Sequence, residues 1–272
     1  MHSILTVAIE AARAAGQIIV AASKDISALQ IEQKSLNDYV SEVDRSSERS
    51  ITQVVTSAFP EHAIIGEEYG NAGTDDGEYT WIIDPLDGTT NFLRGIAHYA
   101  VSIAVMRDGR VEHAVVLDPA KDEQFTASRG KGAHLNGKPI QVSNIPGMSG
   151  ALIATGVPFS GKNLAELGSF LHTMQGVLAK QTSGIRRLGA AALDLAYVAA
   201  GRYDGFWEAN LQAWDIAAGA LLVEEAGGRV ADFNGADQHL QSGDIVAASP
   251  DIFQALVDVT TTTYQRYPVR PW

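Results

Sequence analysis

The densest group of chemically useful side chains lies in residues 81–92, which read WIIDPLDGTTNF. The three apolar residues before Asp84 predict the end of a buried strand, and the proline after it is expected to stop strand pairing. Asp84 and Asp87 would then share a tight turn, where two carboxylates three residues apart can converge on one hard cation. Gly88 permits a close backbone approach, and Thr89 is placed to open a helix whose first N–H groups can bind an anion. The segment therefore predicts a site for a cation and an anion together.

Three further acidic residues stand near the ends of predicted elements. Glu67 follows a short apolar strand, Asp215 begins a helix in the second half, and Asp44 lies early in a helix of the first half. Each has a simple structural explanation by itself: a solvated loop acid for Glu67 and a helix cap for the two aspartates. Two unit negative charges about 4 Å apart repel by roughly 4 kcal/mol at an effective dielectric constant near 20. Carboxylates that meet at one point therefore need cations, and Mg²⁺, which takes oxygen ligands, suits them.

Periodic apolar patterns predict the elements that position these residues. A helix is expected over residues 3–22 with Ser3 as its N-cap, and a second over 41–59, ended by Pro60. Residues 99–142 have a strand-like period with Asp-Gly at 108–109 and Asn-Gly at 136–137, which predicts hairpins. The first half is thus predicted as helices on an antiparallel sheet, and strand–helix alternation in the second half predicts an α/β arrangement. We expect residues 1–146 and 147–272 to form two halves of one compact unit.

Composition and charge exclude several classes of function. The 272 residues contain 20 Lys and Arg against 32 Asp and Glu, a formal net charge of −12, so nucleic-acid binding is not expected. There is no cysteine, which rules out disulfides, thiolate metal sites and thiol nucleophiles and fits a reducing compartment. Glu10 and Arg13 interrupt the N-terminal apolar stretch, so neither a signal peptide nor a membrane span is expected. These features predict a cytoplasmic protein.

Two glycine-containing segments imitate nucleotide-binding motifs. Residues 156–163 nearly spell a phosphate-binding loop but end in Asn163 where Ser or Thr must reach Mg²⁺. Residues 130–135 lack the third glycine of the dinucleotide fingerprint, since Leu135 occupies its place. The first is predicted to be a surface loop, and neither indicates a nucleotide site.

The chain resembles the inositol monophosphatase family of magnesium-dependent, lithium-sensitive phosphatases. Three motifs carry the resemblance in order: GEE at 66–68, DPLDGTT at 84–90, and WDIAAG at 214–219 with a later Gly-Gly at 227–228. The likeness extends from Lys34 and Asp44 to the last helices and is nearest to bacterial inositol-1-monophosphatases. The TNF at 90–92 is typical of the inositol-phosphatase branch, whereas the bisphosphate-nucleotidase branch usually has Lys-Glu-Phe there.

The resemblance implies a role for each acidic residue. Glu67, Asp84 and the Leu86 carbonyl would hold one Mg²⁺; Asp84, Asp87 and Asp215 would hold a second; and a weaker third ion would lie near Glu67. Thr89, paired in the family with the residue matching Asp44, would help to orient the attacking water. Glu67, Thr89 and Asp44 are thus the implied catalytic residues.

Substrate contacts, fold and assembly are implied in the same way. The N–H groups of Gly88 and Thr89 would receive the phosphate, and Glu208 would contact substrate hydroxyls. Arg186, in the densest basic spot of the sequence, is a further candidate for substrate binding, with a plain surface pair as the alternative. The family implies a layered αβαβα sandwich of the sugar-phosphatase type, on the border between α+β and α/β, and a homodimer.

The implied reaction is hydrolysis of a small polyol or sugar phosphate, with inositol 1-phosphate as the first candidate. Fructose 1,6-bisphosphate and histidinol phosphate stay open as alternatives, and the deciding residues are expected around Glu208, Arg186 and the Ser160 loop. A regulatory or binding protein on the same scaffold is the alternative from another class. The intact set of acidic residues argues against loss of catalysis.

Overall fold

A computed structural model describes residues 3–29, 31–35, 38–74, 77–158 and 166–264. The helices in this part of the chain are α1 (Ile4–Ala22), α2 (Glu42–Ala58), α3 (Thr89–Leu93), α4 (Leu167–Ala179), α5 (Ala191–Ala199), α6 (Ala213–Glu225), α7 (His239–Ser242) and α8 (Pro250–Tyr264). The first strands are β1 (Ile31–Ser35), β2 (Asp38–Ser41), β3 (Ala63–Gly66), β4 (Gly70–Gly73), β5 (Thr80–Asp87), β6 (Ala100–Arg107), β7 (Arg110–Asp118) and β8 (Glu123–Ser128). The others are β9 (Ala133–Leu135), β10 (Lys138–Ile140), β11 (Leu152–Thr155), β12 (Gly184–Arg186), β13 (Gly205–Glu208), β14 (Arg229–Ala231) and β15 (Ile245–Ala248).

The larger sheet has eight strands in the order β10-β9-β8-β7-β6-β5-β3-β4. Both predicted hairpins are present, because the Asp-Gly at 108–109 joins β6 to β7 and the Asn-Gly at 136–137 joins β9 to β10; all four turn residues have positive φ. The expectation of an antiparallel sheet is wrong for one pair, since β3 and β5 are parallel. The reason is that β4 returns along the outer edge of β3, so the chain enters β5 on the other side of β3 and in the same direction.

The smaller sheet has five strands in the order β12-β11-β13-β15-β14. The first three strands are parallel, and β15 is antiparallel to both β13 and β14. The second half is therefore a mixed sheet rather than a purely parallel one. The short strand β12 and the hairpin of β1 with β2 have no clear period in the sequence and could not be predicted from it.

These two sheets and three layers of helices form five layers. One face of the larger sheet packs against α1 and α2 through residues such as Ile83 and Ile103. The opposite face, with Ile82, packs against α5 and α6, which also cover Phe206 of the smaller sheet. Helices α4 and α8 close the far side around Trp207. Side chains alternate between the two faces of each sheet, so both faces can pack against helices. The predicted αβαβα sandwich is confirmed.

Helix α1 begins at the predicted cap, where the Ser3 hydroxyl accepts the Thr6 N–H at 3.2 Å. By length and composition alone α1 would suit a membrane span, which the sequence analysis did not expect. Its apolar stripe, however, is buried against α2 and the larger sheet. The stripe consists of Val7, Ala8, Ala11, Ala12, Ala15 and Ile19.

Candidate active site

Strand β5 delivers Asp84 and Asp87 without ending at the proline between them. Asp84 lies opposite Ser102 and Asp87 opposite Ala100, so three steps on β5 match two on β6, which is a β-bulge. The prediction that Pro85 stops the pairing is therefore wrong, because the bulge accommodates a residue with no N–H to donate. The Leu86 N–H turns back to donate to Asp84 Oδ1 at 2.9 Å. Both acids are thus held on the strand, one on each side of the bulge.

Gly88 continues this strand into α3 with a φ of 91°. A Cβ there would lie 3.0 Å from the His98 carbonyl oxygen and 3.3 Å from the Gly189 carbonyl oxygen. The close approach predicted for Gly88 is therefore to two other loops of the protein. The same two loops are tied together by Asn91, whose side-chain amide donates to the carbonyls of His98 and Leu188, each at 2.8 Å. Sequence reasoning gave Asn91 no such role, because its partners lie far along the chain.

Thr89 is the first residue of α3, and its hydroxyl lies 3.0 Å from Asp44 Oδ1 and 3.0 Å from the Leu86 carbonyl oxygen. Asp44 also caps α2, since its Oδ2 accepts the Ser41 N–H at 2.8 Å and the Ser41 hydroxyl at 2.6 Å. Burial raises the pKa of Asp44, and these hydrogen bonds oppose that rise. The aspartate thus serves as a helix cap and as the partner of Thr89 at once.

Glu67 and Asp215 come to the same place from other elements. The Glu67 N–H donates to the Ile83 carbonyl at 3.1 Å, so Glu67 lies beside the residue before Asp84. Asp215, in the first turn of α6, accepts the Gln212 N–H at 2.6 Å, and its carboxyl lies within hydrogen-bonding reach of Asp84. The start of α6 is linked to β6 by the Ser102 hydroxyl, which donates to the Trp214 carbonyl at 3.1 Å.

Burial and mutual repulsion raise the pKa values of these carboxyls. Burial, followed by the charges of Glu67, Asp87 and Asp215, holds the pKa of Asp84 well above its usual range. Burial and the charge of Asp87 do the same to the pKa of Asp215. Burial raises the pKa of Asp87 to about 7, even though Asp87 Oδ2 accepts the Ala192 N–H at 2.7 Å. Acids from three distant stretches of chain therefore share one poorly solvated space.

This donor set fits a hard divalent cation. Its groups are carboxylates and the nearby Leu86 carbonyl, and among the described residues no sulfur or imidazole group lines the cavity beside them. Within the described residues no three acidic or histidine side chains already form a compact ligand cluster, and Asp84 and Asp215 contact each other instead. Protons shared between acids and a bound cation are alternative ways to offset the same repulsion. The residues present thus suit Mg²⁺, which would draw their oxygens together.

A cavity of about 730 Å³ opens above these acids. Glu67, Asp87, Asp215 and Glu208 line it together with Gly88 and Thr89, whereas Asp84, 2% exposed, lies behind the lining. Burial, then the charge of Asp215, raises the pKa of Glu208 to about 8. The cavity thus places Glu208 near the four acidic residues that are predicted to be metal ligands.

Of the two adjacent arginines, Arg187 lines this cavity and Arg186 does not. Arg187 and Arg94 both line the cavity, while Arg186 is outside the lining and its guanidinium donates to the carbonyl of Ile185 at 3.3 Å. Successive residues of an extended segment point to opposite sides, so only one of two adjacent arginines can face the cavity. The Ser160 loop, which is expected to contribute to substrate choice, lies outside the described residues, as does most of the segment 156–163.

Comparison with known proteins decides the family. The model of the inositol monophosphatase family matches residues 1–264. The chain belongs to the inositol monophosphatase family. It is 51% identical over 259 residues to the Nus factor SuhB of Pseudomonas aeruginosa, covering 94% of this chain and 95% of the relative. It is 46% identical over 257 residues to the Nus factor SuhB of Escherichia coli, with coverages of 94% and 95%.

Solved structures of the family share the fold. The extragenic suppressor protein suhB from Bartonella henselae is 42% identical and superposes with a TM-score of 0.91 over 95% of this chain and 98% of that one. The inositol monophosphatase from Anabaena is 34% identical, with a TM-score of 0.83 over 97% and 98%. Relatives of this family member are thus known both as phosphatases and as Nus factors.

Proposed function

We propose that this family member is a magnesium-dependent phosphatase that hydrolyses inositol 1-phosphate, or a closely similar polyol phosphate, to the alcohol and inorganic phosphate. The observation that carries the proposal is the gathering of Glu67, Asp84, Asp87 and Asp215, from three distant stretches of the sequence, at the base of one cavity. Such a concentration of buried acid is unfavourable without cations. An oxygen-only donor set beside a solvent-accessible cavity is typical of metal-assisted phosphate chemistry.

Two to three Mg²⁺ ions would be held by Glu67, Asp84, Asp87, Asp215 and the Leu86 carbonyl. When bound, they would polarise the phosphate and lower the pKa of a water molecule. Thr89 and Asp44 would orient that water. The Thr89 hydroxyl donates to the buried carboxylate of Asp44 at 3.0 Å, so its oxygen is free to accept a hydrogen bond from the water. This arrangement supplies a nucleophile without a covalent enzyme intermediate.

The remaining groups would bind the ester. The N–H groups of Gly88 and Thr89, at the start of α3, would receive the phosphate oxygens. Glu208, in the cavity wall, would accept hydrogen bonds from the hydroxyl groups of the polyol. Arg186 would then contribute to substrate binding only indirectly, since Arg187 is the member of the pair that lines the cavity. We also propose that the protein works in the cytoplasm as a homodimer.

A panel of phosphate esters tests the substrate assignment. Phosphate release is measured at saturating Mg²⁺ with inositol 1-phosphate, fructose 1,6-bisphosphate and histidinol phosphate, and kcat/KM is compared. We expect the highest value for inositol 1-phosphate. A higher value for either of the other esters would replace it as the substrate and leave the metal chemistry in place.

The variant Asp84→Asn tests the metal chemistry itself. It keeps the size of a buried side chain and removes the charge that two ions would share, so turnover should be abolished while the thermal unfolding transition is retained. The same variant with normal magnesium-dependent phosphate release would contradict the site assignment.

A second candidate is a Nus factor function, which the names of the relatives at 51% and 46% identity favour. The chain would be expressed in an Escherichia coli strain lacking its own SuhB, with Asp84→Asn as a parallel variant. Restoration of the Nus function by both proteins would show a role that is independent of hydrolysis. Restoration by neither would confine the proposal to the phosphatase.

A further inference from the structure

Helix α2 carries a second buried acid that the proposed reaction does not use. Glu48 lies one turn after Asp44 and is 1% exposed. Its Oε2 accepts the Glu68 N–H at 2.8 Å, and its Oε1 accepts the Tyr69 N–H at 3.0 Å. Hydrogen bonds from N–H groups to a carboxylate are among the stronger ones in proteins. One side chain thus holds the two residues that immediately follow Glu67.

The residue before Glu67 is shaped to admit this carboxylate. A Cβ at Gly66 would lie 2.1 Å from Glu48 Oε1 and 2.4 Å from Glu48 Cδ. No side chain larger than hydrogen fits there unless the glutamate moves. Gly66 and the N–H groups of residues 68–69 therefore surround the carboxylate on the two sides of Glu67.

Two other residues of α2 contact the loop after β3 and the start of α3. Arg49 hydrogen-bonds the Tyr69 hydroxyl, and its guanidinium carbon lies 5.9 Å from the centre of the Tyr69 ring. Asp44, four residues before Glu48 and so on the same face of the helix, reaches Thr89. Helix α2 thus fixes the loop after β3 with one acid and the start of α3 with another.

We infer that Glu48 is a positioning residue that holds Glu67 in place to ligate a divalent cation. The inference rests on the proposed metal-dependent function. Without the carboxylate, the segment from Gly66 to Tyr69 loses two anchoring hydrogen bonds, and Glu67 must be ordered at the moment the ion binds. Loss of such an outer contact typically weakens metal binding by about 10- to 100-fold.

The variant Glu48→Gln tests this, because glutamine keeps the shape but offers an NH₂ group to one of the two backbone donors. Mg²⁺ binding is measured by titration calorimetry, and exchange of the amide hydrogens of residues 66–70 is measured in chelator. We expect the Kd for Mg²⁺ to rise about tenfold or more, exchange in this segment to accelerate, and kcat at saturating Mg²⁺ to stay within about threefold.

Ser47→Ala is the matched control, since Ser47 is also fully buried on α2 and its hydroxyl oxygen has no hydrogen-bond partner in the described structure. It should leave Mg²⁺ binding unchanged. Gly66→Ala tests the same contact, because its methyl group would displace the Glu48 carboxylate. It should weaken Mg²⁺ binding in the native background and have little effect in a Glu48→Ala background, where that carboxylate is absent. This cycle still tests the contact if Glu48→Gln does not fold.

The outcomes separate the inference from the function it rests on. A native protein that binds no Mg²⁺ would overturn the proposed function. A native protein that binds Mg²⁺ and a Glu48→Gln variant that binds it equally well would overturn the positioning role alone. A lower melting temperature with an unchanged Kd would do the same, because it shows a purely structural contact.

Discussion

The substitution Gly156→Ala should separate recognition of the polyol from the metal chemistry. Gly156 directly follows β11, and a Cβ there would lie 1.7 Å from Glu208 Oε1 and 2.0 Å from Glu208 Cδ. Ordinary van der Waals contact begins near 3.4 Å, so the carboxylate would have to move by about 3.4 − 1.7 = 1.7 Å. A displacement of that size breaks a hydrogen bond, whose useful range spans only a few tenths of an ångström.

The expected loss follows from the hydrogen bond that Glu208 is proposed to accept. At pH 9, above its pKa of about 8, Glu208 carries its charge, and a hydrogen bond to a charged group contributes about 1.5–3 kcal/mol. Since about 1.4 kcal/mol corresponds to a factor of ten, kcat/KM for inositol 1-phosphate should fall roughly 10- to 150-fold. An aryl phosphate has no polyol hydroxyl for Glu208 to bind, so its hydrolysis should change by no more than about threefold.

The assay is phosphate release from inositol 1-phosphate and from p-nitrophenyl phosphate at pH 9 and saturating Mg²⁺. Gly147→Ala is the control, because a Cβ at Gly147 would meet nothing within 4 Å. Equal losses on both esters would show that the added methyl group damages the metal site. No loss on either would refute the role of Glu208 in binding the polyol.

Three further variants test separate parts of the structure. Asp44→Asn should lower kcat by roughly 10²- to 10⁴-fold in phosphate-release assays and leave the Kd for Mg²⁺ unchanged, because Asp44 accepts the hydrogen bond from Thr89 and is not among the proposed ligands of the ion. Glu225→Gln should lower the free energy of unfolding in urea by about 1–2 kcal/mol without affecting activity, since the Glu225 carboxylate accepts the N–H groups of all three residues 130–132. Burial lowers the pKa of His98 to about 4, so between pH 6.5 and 4 this histidine binds a proton in the unfolded chain but not in the folded protein. Stability should therefore fall as the pH drops from about 6.5 towards 4, and His98→Gln should flatten this slope in urea titrations; an unchanged slope would contradict the assignment.

Local chemistry explains why much of the scaffold could be predicted from the sequence. Ser3 and the Asp-Gly at 108–109 act on their immediate neighbours, so a helix cap and a hairpin appear where the pattern indicates them. The segment 84–90 likewise contains Asp84 and Asp87 three residues apart, and this short spacing by itself keeps the two acids close together in the folded chain. Asp44 has both of the roles expected for it, since it caps α2 and also contacts Thr89.

The parts that could not be predicted depend on partners distant in the chain. The β-bulge at Pro85 exists because β6 lies opposite, and the local sequence does not show which strand pairs with β5. The choice of Arg187 over Arg186 depends on which side of the chain at the end of β12 faces the cavity. Residues 130–132, whose sequence resembles part of a nucleotide fingerprint, donate their backbone N–H groups to the Glu225 carboxylate.

The central claim is that acids from distant stretches of chain gather to hold divalent cations, and urea unfolding between pH 5 and 8, with and without Mg²⁺, tests it most directly. In chelator the folded protein keeps a proton on Asp87 up to its pKa of about 7, whereas the unfolded chain releases it near the ordinary value of 3.8. Stability in chelator should therefore decline as the pH rises, and the gain on adding Mg²⁺ should grow over the same range, since the ion binds the deprotonated carboxylates. Unfolding curves that coincide with and without Mg²⁺ throughout this range would contradict the account.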